Sequence, residues 1–239
     1  MKKTILVSVL IACASAVICS LILVKPSILF RNEGSIRVKG SVSKVVESDI
    51  AIWNASVVER DASASKAYDK IQKAKSLVCD FLKSKGVNIG DVDFSLSFSQ
   101  IFKRSDKGYV TDEIAAYSYA LNMSFSSSNV ALIESLSREA SALVQRGISI
   151  NSDNPQYLYS KLEYLKLELL SLASENAKER AKLLVSGSGA KLGKVVSASQ
   201  GVFQITAPLS TATSDYGIYD TSCPKKQVTC VVTIQFAVE

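Results

Sequence analysis

The chain has 239 residues, with 28 Lys and Arg against 22 Asp and Glu, and it contains no histidine. Without histidine, serine–histidine and cysteine–histidine nucleophile pairs, histidine proton shuttles and most zinc sites are excluded. Half of the net charge of +6 comes from three lysines in the first 25 residues, and no basic block with interleaved aromatic residues indicates nucleic-acid binding.

The N-terminus carries an uncharged, mostly apolar run over residues 4–24, preceded by Lys2 and Lys3. A spanning helix needs about 20 such residues, whereas a cleaved signal peptide has about 7–15. We therefore predict that residues 1–31 form a signal peptide or inner-membrane anchor. By the positive-inside rule the rest of the chain lies on the periplasmic side, either anchored or released after cleavage.

Three fates of this segment remain open on the sequence. Its length of 21 residues favours a retained anchor. Ala14-Ser15-Ala16 is a small-x-small cleavage site, and Leu10-Ile11-Ala12-Cys13 has the pattern of a lipidation site.

Residues 32–239 are predicted to form one domain. Its first half favours strands over 36–42 and 49–58, followed by a helix over 61–85 with Asp61 or Ser63 as its cap. The second strand is partly apolar on both faces, which is typical of a central strand or of one covered by a partner. The alternating segments 92–98 and 115–125, with a turn at 103–108, then predict a long hairpin.

The second half begins with a helix capped by Ser128 or Asn129 and ending at Gly147. A short strand over 148–151 follows, and Asn154-Pro155 is typical of the start of a helix, which would run to about Ser186. Strands are expected over 195–205 and 227–238. The polar connection 206–226 between them is long, which favours a functional or mobile segment.

About seven strands and three helices therefore follow the N-terminal transmembrane or signal helix. Because neighbouring strands are joined by short turns, we predict an α+β fold with a mostly antiparallel sheet and helices packed on one face.

Three cysteines lie outside the apolar run: Cys79, Cys223 and Cys230. The alternation around Cys230 predicts a buried strand position, although a Cys223–Cys230 disulfide is possible if the chain turns back at Pro224. A histidine-free thiol enzyme using Cys79 or Cys223 is the enzymatic alternative. Ser41 and Lys44 have the spacing of a serine–lysine dyad, which is expected by chance in a chain this rich in both.

The remaining patterns favour structural roles. The glycines of 187–193 follow a predicted helix, so helix termination is favoured over a phosphate loop. Packing is favoured over a ligand groove for the tyrosines 117, 119, 157, 159 and 164. The carboxylates of Glu47-Ser48-Asp49 and Asp112-Glu113 lack a second ligand set for calcium. We predict no catalytic, cofactor-binding or metal-binding residue and no cofactor.

Several segments, in order, resemble the SIMPL-domain family between residues 36 and 238. The most specific is the helix with Ala173, Ala177 and Ala181 that leads to Gly189 and Leu192-Gly193-Lys194-Val195. The others include Val38-Lys39-Gly40, Asp49-Ile50-Ala51-Ile52, Gly86-Val87, Tyr117-Ser118-Tyr119-Ala120 and Pro224. Val42 stands where the family often has a second glycine.

The resemblance implies a non-enzymatic envelope protein of the type of the periplasmic immunogenic and oxidative-stress-defence proteins. It further implies a homo-oligomer with a role in envelope integrity or stress defence, and it brings no catalytic residues. The alternative is a monomeric exported adaptor that binds another envelope protein or a surface polymer through residues 206–226. Residues 4–24 would contact the inner membrane, and strand 49–58 is a further candidate interface.

Overall fold

The computed structural model of the chain describes residues 34–239, so the predicted anchor within residues 1–31 lies outside the described part. The three helices are α1 (Ala64–Ser84), α2 (Val130–Glu139) and α3 (Leu162–Ser186). The longer strands are β1 (Gly34–Glu47), β2 (Ile50–Asp61), β3 (Val92–Arg104), β4 (Val110–Ser127), β7 (Leu192–Gln200) and β10 (Lys225–Val238). The short strands are β5 (Ile150–Ser152), β6 (Gln156–Leu158), β8 (Gln204–Thr206) and β9 (Ile218–Tyr219).

The predicted α+β class is confirmed, since within residues 34–239 the strand pairs with a defined register are antiparallel, except β8 with β9. The strands form two five-stranded sheets rather than one. Within residues 34–239, no helix combines the length and the apolar character needed to cross a membrane.

The chain divides into two compact units. The larger unit contains residues 43–169 and 202–229, and the smaller contains the described residues up to Val42 together with 170–201 and 230–239. Residues 32–239 as a single domain therefore remain a prediction.

The larger unit is built around β2, which pairs with β4 on one side and with β5 and β6 on the other. The prediction of a central strand is thus confirmed. Every second residue in the first two thirds of β2 is buried: Ala51, Trp53, Ala55 and Val57. Because Trp53 donates its indole N–H to Ser152 Oγ at 2.9 Å, its polar atom is satisfied within this core.

Helices α1 and α2 both pack on this buried face of β2. The predicted helix is confirmed as α1, whose apolar stripe of Ile71, Ala74, Val78, Phe81 and Leu82 is buried. Of the two predicted cap residues, Ser63 occupies the N-cap position, but its side chain makes no cap hydrogen bond. The Asp61 carboxylate instead accepts the Ser63 backbone N–H at 3.0 Å.

The helix ends of this unit otherwise follow the sequence. Gly86 has φ +79°, the left-handed conformation that ends α1, and Asn129 Oδ1 accepts the Leu132 backbone N–H at 3.1 Å as the cap of α2. Helix α2 is shorter than predicted because the chain tightens into a 3₁₀ segment, Ala140–Arg146, before Gly147.

The predicted hairpin is confirmed as β3 and β4, which pair from Val92 with Phe125 to Arg104 with Val110. The Lys103–Glu113 ion pair, at 2.9 Å, lies near its turn.

The predicted helix start at Asn154-Pro155 is wrong. Residues 156–158 form β6 against Ile50–Ile52, and α3 begins only at Leu162. Tyr157 is buried, and its backbone N–H donates to Thr221 O at 2.8 Å. These pairings engage the amide groups that a helix would have used, so Pro155 belongs to the loop before a strand.

In the smaller unit, the alanine row of α3 makes a close approach to β1. Ala173, Ala177 and Ala181 are fully buried, and a Cβ built on Gly40 would lie 2.7 Å from Ala177 N and also overlap Ala173 O. The small side chains at every fourth position of α3 allow this close contact.

The predicted strand over 195–205 is interrupted. It forms β7, which pairs with β10 from Leu192 to Gln200, and after residues 201–203 the short strand β8. Strand β10 confirms the alternation predicted for residues 227–238, with its buried positions at Val228, Cys230, Val232, Ile234 and Phe236.

Candidate functional site: an aromatic groove beside α3

The long connection 206–226 forms one wall of an open groove in the larger unit. Strand β9 pairs in parallel with β8, bringing Gln204 opposite Ile218 and Ile205 opposite Tyr219. The first turns of α3, through Leu162, Glu163 and Lys166, form the other wall of a cavity of about 530 Å³. The connection predicted to be functional or mobile thus contributes Tyr216, Gly217, Ile218 and Tyr219 to the groove, and its function stays a prediction.

Gly217 makes the turn into β9 possible. Its φ is +84°, and a Cβ at this position would lie 3.0 Å from Phe203 O. A side chain here would be strained and would push the two strands apart.

The groove is apolar and aromatic, with a charged rim. Phe203, Tyr216 and Tyr219 line it, and Tyr216 is 98% exposed. Lys166 pairs with Glu163 at 2.7 Å, and its ammonium lies 5.9 Å from the centre of the Phe203 ring. Exposed tyrosines around an apolar centre are the residue type that anchors protein interfaces. The groove can therefore hold an apolar or aromatic side chain of a partner.

A buried lysine holds the segment in place. Lys226 is only 1% exposed, and its ammonium donates to the backbone carbonyls of Asp220 at 2.5 Å and Cys223 at 3.1 Å. Burial lowers the pKa of Lys226, while the Asp220 carboxylate acts in the opposite direction. The ammonium also lies 5.9 Å from the centre of the Tyr219 ring. Lys226 thus fixes the backbone that carries Tyr219.

Polar contacts complete the support of this wall. Gln204 exchanges two hydrogen bonds with the backbone of Ser214, at 2.7 and 3.3 Å. Hydrogen bonds from the side chain and backbone of Ser222 lower the pKa of Asp220.

The backbone is strained at one exposed position of the same segment. Leu209 has φ +64° and is 93% exposed. Such a conformation is costly for a bulky residue.

Sequence reasoning missed Lys226, although a signal was present. The alternation of buried residues in β10 extends back from Cys230 and Val228 to residue 226, which therefore occupies an inward position. A lysine at the first inward position of a strand marks a candidate buried charge. Lys166 and Phe203 carried no comparable signal, because only the fold brings them together.

The predicted tyrosine set does not converge on one site. Tyr157 is buried and donates its hydroxyl to Glu134 at 3.1 Å, whereas Tyr164 is 80% exposed on α3. Tyr119 packs edge-on against Tyr68 with ring centres 5.5 Å apart. Packing is thus observed for Tyr119 and Tyr157.

The three cysteines of the described residues are all free, so no Cys223–Cys230 disulfide is present. Cys230 is fully buried, and burial raises the pKa of its thiol, as expected for core packing. Cys79 and Cys223 are partly exposed.

The other short motifs are accounted for locally. Helix α3 ends at Ser186 and Gly189 adopts φ +74°, which confirms helix termination for this glycine-rich segment. Lys44 pairs with Glu168 at 2.7 Å, and Asp49 accepts hydrogen bonds from the backbone and hydroxyl of Ser160. Over residues 34–239, no group of three or more cysteine or carboxylate side chains is placed to hold a metal ion.

A second surface lies on the β3–β4 hairpin. The hairpin face is defined here as Leu96, Phe98, Phe102, Ile114, Tyr117 and Tyr119. The Phe98 ring centre lies 4.9 Å from that of Tyr119 and 6.1 Å from that of Tyr117. Leu96, Phe98 and Phe102 are nonetheless 41–49% exposed. Clustered apolar exposure of this kind marks a candidate interaction surface. Strand β2, the other interface suggested by the sequence, offers no free edge because it is paired on both sides.

The family model of SIMPL, described as "Protein of unknown function (DUF541)", matches residues 36–236. The resemblance drawn from the sequence is therefore confirmed over 84% of the chain. The comparison with curated proteins found no match.

Proposed function

We propose, from the premise that this chain belongs to the SIMPL family, that it is a non-enzymatic protein of the bacterial cell envelope that works as a homo-oligomer. The observation that carries the proposal is the exposed hairpin face in the larger unit. Monomeric proteins rarely leave clustered aromatic side chains in water, because burying them is favourable. A second copy of the chain is the partner that is always present at matching concentration.

The proposed location is the periplasmic side of the inner membrane. It is supported by the 21-residue uncharged run at residues 4–24 with Lys2 and Lys3 before it. The chain is either held there by this segment or released after cleavage.

The proposed role is structural or protective, in envelope integrity or oxidative-stress defence. A non-enzymatic role is supported by the absence of histidine from the whole chain, which removes the commonest acid–base catalyst.

Complementation tests this role. A host strain lacking the gene should become more sensitive to detergent or peroxide, and the full-length chain should restore resistance. A matched variant without residues 4–24 should fail to do so, because it stays in the cytoplasm. Unchanged sensitivity of the deletion strain to both stresses would contradict the proposed role.

A second candidate function is favoured by the aromatic groove: an adaptor that captures another envelope protein. Cross-linking in intact cells followed by purification of the full-length chain should recover a discrete partner. Tyr216→Ala should abolish that recovery, because it removes the most exposed ring of the groove. Tyr109→Ala is the matched control, since Tyr109 is 73% exposed but lies at the hairpin turn. Equal recovery with both variants would exclude the groove as the binding site.

A further inference from the structure

Strand β3 is a free sheet edge in the described part of the chain. The sheet runs in the order β3-β4-β2-β5, so β3 pairs on one side only. Between Phe94 and Phe102, nine consecutive residues include no charge, proline or glycine. The side chains of this edge alternate between serine-rich and aromatic faces, and Phe98 at its centre is 49% exposed.

Such an edge is a template for pairing with another strand. Its unpaired N–H and C=O groups lie in a row, and proteins normally protect a row of this kind with lysines, prolines or bulges. Strand β1, at an edge of the other sheet, follows that rule, since it carries Arg37, Lys39 and Lys44. The middle of β3 carries none of these devices. An uncharged, aromatic edge without proline aggregates unless something covers it.

We propose that β3 pairs with β3 of a second copy, antiparallel and about a two-fold axis at Phe98. The sheet that contains β3 has five strands in each copy, so the sheets of the two copies would join into one continuous sheet of ten strands. This inference rests on the homo-oligomer proposed above and names the surface and the register through which the copies meet.

Symmetry restricts the possible registers. A two-fold axis perpendicular to the sheet lies midway between the two paired strands, and it places each residue opposite a residue whose side chain is on the same face. The axis must therefore lie level with one residue, which faces its own symmetry mate. With the axis at Phe98, Asp93 of each copy lies opposite Lys103 of the other. With the axis at Ser97 or Ser99, Asp93 would lie opposite Ile101 or Ser105 instead. Among these three registers, only the one centred on Phe98 joins opposite charges that both lie within β3, and the symmetry forms that pair twice. The axis at Ser97 would bring Asp91, one residue before the strand, opposite Lys103.

The aromatic face agrees with this register. Phe98 lies opposite its own symmetry mate, and Phe94 of each copy lies opposite Phe102 of the other. Cross-strand aromatic pairs stabilise antiparallel sheets. The pairing would place the two hairpin faces side by side and cover part of the exposed surface of Phe98 and Phe102.

Charge reversal tests the register in the detergent-extracted full-length chain. Asp93→Lys and Lys103→Asp should each weaken the assembly by about ten-fold or more in dissociation constant, because each places like charges opposite one another twice. The double variant Asp93→Lys/Lys103→Asp should restore the pairing between copies, although it lacks the exposed Lys103–Glu113 ion pair within each chain. Asp112→Lys, which makes the same charge change on exposed β4, should leave the assembly unchanged.

Cysteine cross-linking tests the symmetry axis. Residues directly opposite in an antiparallel pair have Cα atoms about 4.5–5.5 Å apart, within the range of a disulfide. Phe98→Cys should therefore give a covalent dimer on oxidation, above the background of the native cysteines. The matched control Phe102→Cys should not cross-link. Position 102 lies four residues from the axis in each copy, so the two residues at this position are about 26 Å apart along the strands.

The outcomes separate this inference from the oligomer itself. The β3 pairing is overturned if a discrete assembly forms equally well with Asp93→Lys, or if Phe102→Cys cross-links and Phe98→Cys does not. Either result would leave the homo-oligomer standing. A parental chain that is monomeric at high concentration overturns both. Loss with each single reversal, rescue by the double variant and cross-linking at Phe98 alone would establish the register.

Discussion

At the scale of single residues, Gly40 is the point where β1 comes closest to α3. Gly40→Ala should lower the free energy of unfolding by about 1–3 kcal/mol, because the new methyl group would overlap Ala173 O and Ala177. Thermal and urea unfolding of the full-length chain in detergent measure this loss.

The control for that substitution is Gly187→Ala. A Cβ at Gly187 would meet no atom within 4 Å, so the same change of residue should leave stability nearly unaffected. Equal losses at both positions would show that the close approach at Gly40 is not the cause.

We expect Lys226 to make the free energy of unfolding depend on pH. Its pKa is lowered in the fold by burial, whereas an unfolded lysine titrates near 10.4. Between these two values the unfolded chain binds more protons than the folded chain, so the contribution of Lys226 to stability rises with pH. At lower pH both states are charged and the cost of burying the ammonium is fully present.

Lys226→Met should therefore remove a rise in stability that the parental chain shows as the pH increases toward 10. Unfolding curves of both chains at several pH values between 7 and 10 measure the difference, in which groups common to both cancel. Parallel pH profiles would mean that the lysine is solvated in the folded state.

At the scale of elements, the cap of α2 is a local determinant with a clear control. Asn129→Ala should cost about 1 kcal/mol, because the Leu132 backbone N–H loses its side-chain acceptor. Ser128→Ala should cost less, since Ser128 contributes a backbone carbonyl, which accepts from Val130 N–H. Urea titration of the two variants decides between them, and a larger loss at Ser128 would contradict the assignment.

Elements whose pattern is set by one buried face could be predicted from the sequence. The stripe of α1 and the alternation of β10 repeat because each element packs against a core on one side. The hairpin was predictable from its two alternating segments and the polar turn between them, which lies at Ser105–Tyr109.

Elements decided by distant partners could not be predicted. Asn154-Pro155 has the local chemistry of a helix start, but pairing with β2 and the bond to Thr221 O make residues 156–158 a strand. The groove has the same origin, because Lys166 and Phe203 lie far apart in the chain. The length of residues 206–226 indicated a functional or mobile segment, but it did not indicate which residues line the groove.

At the scale of the whole molecule, we propose that two copies of the chain meet through the β3 edge. A pairing of this kind is two-fold, so any larger assembly built from it contains an even number of chains. The claim links the exposed aromatic hairpin face to the proposed homo-oligomer.

The most direct test is the mass of the full-length assembly extracted from its native membrane, measured by size-exclusion chromatography with light scattering and by intact mass spectrometry. We predict a discrete assembly with an even number of chains, each of 25.7 kDa if the N-terminal segment is retained and unmodified. A monomer at high concentration, or an assembly with an odd number of chains, would contradict the account.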